Sequence, residues 1–210
     1  MTLREKSRRV EIIVVGTLLL LGIASTGLAL PAFGVKAGIC IADQEFESDI
    51  FGTLPTDRRI GVDIGGYIEW PWRRYSKILL ELHYVQRGMK EEWLETTPQG
   101  TGLRTVKFNN RVDYLSVPIL VKVGVPSGSY RPFLALGPRI DVLLYSDSPI
   151  WQEVYDDLEK VDVGADVAVG LDTRWISIET RYNYSLASTI GWARLSVTNK
   201  SFEVLLGRRI

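Results

Sequence analysis

The chain carries one histidine, His83, and a strand-like alternation places it on the same face as Glu81. With Ser116 these residues would make a nucleophile, a base and an orienting acid, the set that activates a hydroxyl for covalent catalysis. Nothing in the spacing brings Ser116 to the imidazole, so the simpler expectation is an interior histidine engaged in hydrogen bonds. Cys40 is the only cysteine, which excludes an intramolecular disulfide and any cysteine-cluster metal site. It follows Ile39, where lipid-attachment signals carry a small residue, and reads as an inward-facing filler. Glu153, Asp156, Asp157 and Glu159 gather in one segment but lack the spacing and central glycine of a calcium-binding loop. The stretch Thr96 to Gly102, with Pro98, Gly100 and Gly102, is glycine-rich but leads into no helix. It therefore reads as an external loop and not as a phosphate cradle. No catalytic residue, metal site or cofactor is expected from these constellations.

The elements that carry them alternate apolar and polar residues run after run. Phe33, Val35, Ala37, Ile39 and Ile41 oppose Gly34, Lys36, Gly38, Cys40 and Ala42. Ile60, Val62, Ile64, Ile68 and Trp70 oppose Gly61, Asp63, Gly65, Tyr67 and Glu69, and Val161, Val163, Ala165, Val167, Val169 and Leu171 oppose Asp162, Gly164, Asp166, Ala168, Gly170 and Asp172. A period of two sends successive side chains to opposite faces, so one face of each strand is apolar throughout. A soluble sandwich alternates too. The N-terminus argues for export and for a membrane: Arg4, Lys6, Arg8 and Arg9 precede an apolar stretch from Ile12 to Ile23 and a small-residue end at Gly27-Leu28-Ala29. That apolar stretch is well short of the roughly 20 residues a spanning helix needs, so residues 1–29 are expected to be a signal peptide. Residues 30–210 would then form one domain that crosses a membrane as strands, because lipid tolerates only helices and closed barrels.

Eight strands are expected over 32–42, 58–70, 76–88, 111–124, 131–145, 161–172, 174–185 and 197–208. Three connections are short, at Pro71 to Tyr75, Pro126 to Tyr130 and Asp172 to Thr173; four are long, at Asp43 to Asp57, Met89 to Asn110, Ser146 to Lys160 and Leu186 to Ser196. Short and long alternate without exception, as in an up-and-down barrel with periplasmic turns and external loops. Trp70, Trp72, Tyr75, Tyr130, Phe133 and Trp175 cluster at the short-turn end, and Tyr84, Tyr145, Tyr184 and Trp192 toward the other, as aromatic girdles would. On the polar face Lys36, Arg87, Lys122, Arg139 and Arg181 share the interior with Asp63, Glu69, Glu81, Asp141, Asp166 and Glu179. Eight strands enclose only enough room for side chains, so these charges should pair and plug the lumen, with Glu81 and Glu179 the expected partners of Arg139. With Lys plus Arg at 25 and Asp plus Glu at 25, no basic excess points to nucleic acid.

Gly34-Val35-Lys36-Ala37-Gly38, the run from Leu80 to Gly88, Tyr114-Leu115-Ser116-Val117-Pro118-Ile119-Leu120 and Pro132-Phe133-Leu134-Ala135-Leu136-Gly137-Pro138 resemble the PorT-like outer-membrane β-barrel family. The Tyr-Leu-x-x-Pro-x-Leu pattern is the most specific of these, and the likeness covers the whole segment after residue 29. The resemblance implies an all-β, eight-stranded antiparallel barrel in the outer membrane of a Gram-negative bacterium, and a part in protein secretion for the member that names the family. One departure is the final Ile210, where such barrels often end in an aromatic residue. The reading is a structural or binding platform or an accessory in envelope assembly or secretion. Its partners would be membrane lipid and envelope or secretion-machinery proteins, with no small-molecule substrate identified. The alternatives are a lipid-modifying enzyme and a narrow channel.

Overall fold

A computed structural model of the chain describes residues 30–48, 52–54, 57–96, 103–125, 128–147, 160–186 and 195–210. The strands are β1 (Ala32–Ser48), β2 (Gly52–Leu54), β3 (Asp57–Arg73), β4 (Ser76–Thr96), β5 (Leu103–Gly124), β6 (Arg131–Asp147), β7 (Val161–Asp172), β8 (Ile176–Ser185) and β9 (Leu195–Arg209). From β3 onward each strand pairs antiparallel with the next, β1 pairs with β3, and β9 returns to β1 from Gly34↔Arg209 to Ser48↔Leu195. The sheet is thereby closed into the expected eight-stranded barrel. The ninth strand, β2, only adds three residues to the far end of β1, from Phe46↔Leu54 to Ser48↔Gly52.

The two faces are inverted relative to a soluble protein. Val35 is 49% exposed while its neighbour Lys36 is 3% exposed, and the same contrast runs around the wall: Ile64, Leu82, Val121, Leu136, Val169, Ile178 and Leu206 point out. Such an outer surface is stable only in contact with lipid. The short-turn end carries exposed Trp72, Tyr75, Tyr130 and Trp175. Phe133 corrects the girdle expected there: it is 6% exposed, because its position on β6 faces the lumen, where it packs with Leu79, Leu120, Ala135 and Ala168. Trp192, the segments 1–29 and 97–102, and the acids at 153, 156, 157 and 159 lie outside the described residues.

Strand lengths depart from expectation at the long-loop end. β4 and β5 stay paired out to Thr96↔Leu103, across most of the stretch from Met89 to Asn110 expected to be loop. The register sets Glu92 opposite Lys107 and Glu95 opposite Arg104. Residues 89–96 and 103–110 do not alternate apolar and polar in sequence, which is why the continuing ladder was expected to be loop. β8 begins at Ile176, two residues later than expected, because Thr173 closes the turn: its N–H donates to the Ile176 carbonyl at 2.7 Å, and its Oγ1 accepts the Ile176 N–H at 3.0 Å. Where β3 passes Arg58 to Asp63 against Met89 to Val85 it uses one residue more than β4, and Gly88 takes a left-handed φ of 128° in this bulge.

Candidate functional site

The inward positions assemble a chain of ion pairs along the lumen. Nearest the short turns, Glu69 on β3 meets Lys77 at 2.5 Å, Arg209 at 2.7 Å and Lys122 at 3.4 Å, and Lys122 also reaches Asp172 at 2.7 Å. Beyond the apolar layer around Leu79, four charges close a ring. Lys36 lies 2.5 Å from Glu81 and 2.6 Å from Glu179, and Arg181 lies 2.6 Å from Glu81 and 2.5 Å from Glu179. Each cation touches both acids, which is the geometry that lets buried charges offset their desolvation.

Further out, Arg139 donates from Nη1 to Asp166 at 3.0 Å and lies 2.8 Å through Nε from Asp141 Oδ2. Asp141 also binds Arg87, whose second nitrogen is 3.6 Å from Glu203. These pairs correct the expectation that Arg139 would meet Glu81 or Glu179. Register explains the difference: Arg139 stands opposite Gly164 on β7, one pleat from Asp166, whereas Glu81 and Glu179 are consumed by the ring. Gly164 makes the room, since a Cβ there would sit 2.7 Å from the Arg139 guanidinium. At the outer end Ser185 donates to Asp162 at 2.5 Å, Asn183 to Ser201 at 3.0 Å, and Arg59 to Asn109 at 3.0 Å. All of the charged interior residues expected from alternation are buried on the lumen side. Asp162, Glu203, Arg59 and Tyr114 extend the network beyond them, and the same alternation was the signal that could have found them.

His83, Glu81 and Ser116 lie near one another on β4 and β5, with the imidazole engaged by an acid of β3. His83 Nδ1 lies 2.5 Å from Asp63 Oδ1 and its Nε2 3.4 Å from Glu81 Oε2, so both ring nitrogens face carboxylates. Ser116 stands in register with His83 on β4 and with Asp141 on β6. His83 is an interior residue hydrogen-bonded through Nδ1 to Asp63 and held over Gly65, where a Cβ would fall 2.5 Å from the ring. Cys40 is fully buried with Ala42 and Val85, a filler as expected. Among the described residues no group of three or more His, Cys, Asp or Glu is placed to hold a metal ion.

On the outer wall at the long-loop end a small polar patch interrupts the apolar surface. Arg111 donates to Asp113 at 2.6 Å and to the Tyr84 hydroxyl at 3.0 Å, and Tyr84 donates to Asp113 at 2.7 Å. It lies where β5 and β6 slip register at Asp113 and Tyr114.

A sheet closed strand to strand, charged within and apolar on its outer wall, defines an integral β-barrel membrane protein. The sequence agrees: residues 30–191 match the family described as outer membrane protein beta-barrel domain. The chain belongs to that family and resides in the outer membrane of a Gram-negative bacterium. Solved structures similar to it include OprG from Pseudomonas aeruginosa, at 11% identity, covering 88% of this chain and 98% of that one with a TM-score of 0.49. Neisserial surface protein A is similar at 11% identity, 87% and 100% coverage and a TM-score of 0.47. Ail of Yersinia pestis, solved in complex with the heparin analogue sucrose octasulfate, is similar at 12% identity, 87% and 100% coverage and a TM-score of 0.44. No curated protein matches the chain in sequence.

Proposed function

We propose that this barrel is a structural and binding platform of the outer membrane whose working surfaces are its two ends, serving as an accessory in envelope assembly or protein secretion. The observation that carries the reading is the closed ring of Lys36, Glu81, Arg181 and Glu179 across the lumen, backed by Arg139, Asp166, Asp141 and Arg87. Arg87, Arg139 and Arg181 are among the largest fully buried side chains, so the interior is occupied by protein and leaves the ends to meet partners. The likeness of the Tyr114 to Leu120 pattern to PorT-like barrels supports the secretion version, and the basic, apolar N-terminal segment supports removal of residues 1–29 on export. His83, held through Nδ1 by Asp63 and enclosed in the charged lumen, supports a binding role over a lipid-modifying one. The test is ionic current in planar bilayers together with crosslinked capture from native outer membranes. The expected result is no steady conductance and a recurrent envelope or secretion protein among the captured species. A stable open current from the wild-type barrel would replace this reading with a narrow channel.

A further inference from the structure

The chain is neutral overall, yet its charges are segregated along the barrel axis. At the short-turn end the described side chains that reach the surface with a charge are all cations: Arg73, Arg74 and Lys77 around the β3–β4 turn, Arg131 after the β5–β6 turn, Arg174 before β8, and Arg208 and Arg209 closing β9. The acids there, Glu69 and Asp172, are buried and already engaged by Lys77, Lys122 and Arg209. Arg73, Arg74 and Arg174 have no described carboxylate beside them. Each lies instead over an exposed aromatic neighbour, Arg73 over Trp72 at 5.2 Å, Arg74 over Tyr75 at 5.3 Å and Arg174 over Trp175 at 5.0 Å.

Two clefts open between these turns. One, of about 170 Å³, has Arg73, Arg74, Lys77, Lys122 and Arg131 around the Phe133 ring, against the single acid Asp172. The other lies between the β5–β6 and β7–β8 turns and joins Arg131 and Arg174 to Tyr130 and Trp175. Arg131 is shared: it donates to the Thr173 carbonyl at 2.8 Å and keeps a buried Nε with no acceptor. Guanidinium forks match pairs of phosphate oxygens, and exposed Trp and Tyr fix the depth of these arginines at the membrane interface.

We propose that the periplasmic rim is a binding site for the phosphate of anionic phospholipid headgroups in the inner leaflet, centred on Arg73, Arg74 and Arg131. The site rests on the periplasmic placement of the short turns and is independent of the partner reading above. Because the rings hold the guanidinia at headgroup level, the phosphate is supplied by the bilayer and not by solution.

The full-length mature barrel, folded into vesicles of phosphatidylcholine with a minor fraction of phosphatidylglycerol, is extracted in mild detergent and its retained lipid is measured by mass spectrometry. Phosphatidylglycerol should be enriched over the bulk ratio, at about fivefold per contributing cation, the gain expected of a basic side chain at an anionic surface. Arg73→Gln with Arg74→Gln should bring the ratio back toward bulk, while Arg58→Gln with Lys90→Gln at the opposite end should leave it unchanged. Arg131→Lys should keep the charge but lose part of the preference. Folding of each variant is checked by the shift in gel mobility on heating, and if the double variant does not fold, Arg74→Gln alone carries the test. Retained lipid at the bulk ratio in the wild type, an unchanged ratio in the arginine variants, or equal loss in the opposite-end variant would overturn the proposal. So would displacement of the lipid by low millimolar inorganic phosphate, which would assign the site to a soluble anion.

Discussion

Replacing Arg139 by leucine tests which acids the lumen uses to balance its charges. The guanidinium is fully enclosed, 3.0 Å from Asp166 and 2.8 Å from Asp141, and the two acids differ in what they keep when it goes. Asp141 retains Arg87, while Asp166 retains only the longer 3.6 Å approach of Arg181. Arg139→Leu therefore strands mainly Asp166, and breaking a buried pair in this way costs about 3 to 5 kcal/mol. A loss of 4 kcal/mol lowers the folding equilibrium roughly a thousandfold. Adding Asp166→Leu removes the stranded charge and should recover most of the loss. Adding Asp141→Leu should not, because it leaves Arg87 with only Glu203 at 3.6 Å. The assay is a denaturant titration of refolding into liposomes, with the four proteins compared at one lipid composition. Unchanged stability of Arg139→Leu would mean a solvated lumen, and equal rescue by either acid would show that the pairing described for β6 and β7 is wrong.

Two further outcomes follow from the faces and the topology. Val167, 44% exposed on the middle of β7, faces lipid, so Val167→Arg should cost roughly 2 to 4 kcal/mol in the same titration while Val167→Leu is nearly neutral; the absence of a difference would put β7 one residue out of register. Protease added to intact cells should cut within residues 93–102 or 146–157 and spare 126–130, and cleavage at the latter turn would reverse the orientation of the barrel.

The barrel wall was legible because lipid outside and charge inside impose opposite demands on neighbouring residues. Lys36 and Val35, or Asp166 and Val167, can be assigned from a period of two alone. The partners across the lumen were not legible. Alternation says that Arg139 points inward but not which layer it occupies, and that depends on the stagger between strands, which places Asp166 beside it and sends Glu81 to Lys36 and Arg181. Gly164 is the residue that records this choice in the sequence, yet a glycine reads the same whether it makes way for a guanidinium or simply fills a strand. Phe133 was misplaced for a related reason, since an aromatic near a turn satisfies a girdle equally well from either face. The extended hairpin of β4 and β5 was not legible because its residues do not alternate apolar and polar, the one signal by which the other strands were read.

The ring of Lys36, Glu81, Arg181 and Glu179 draws on strands from both ends of the chain, with hydrogen-bonded partners 45, 100 and 143 residues apart. Lys36 and Glu81 sit on β1 and β4 of one N-terminal run of strands and Arg181 and Glu179 share β8, so each half of the barrel can bring one cation to one acid, and closure adds the Lys36–Glu179 and Arg181–Glu81 contacts. A half-barrel lodged in hydrocarbon would hold each of these pairs without its second partner and facing lipid, at a cost that favours early closure. Insertion and closure of the β1–β9 seam should therefore be coupled, because the second partner of each charge arrives only when the sheet curls shut. Loop-closure entropy must be met across nearly the whole chain before those contacts reward it, so folding should be slow, with few long-lived intermediates and a seam that seals last.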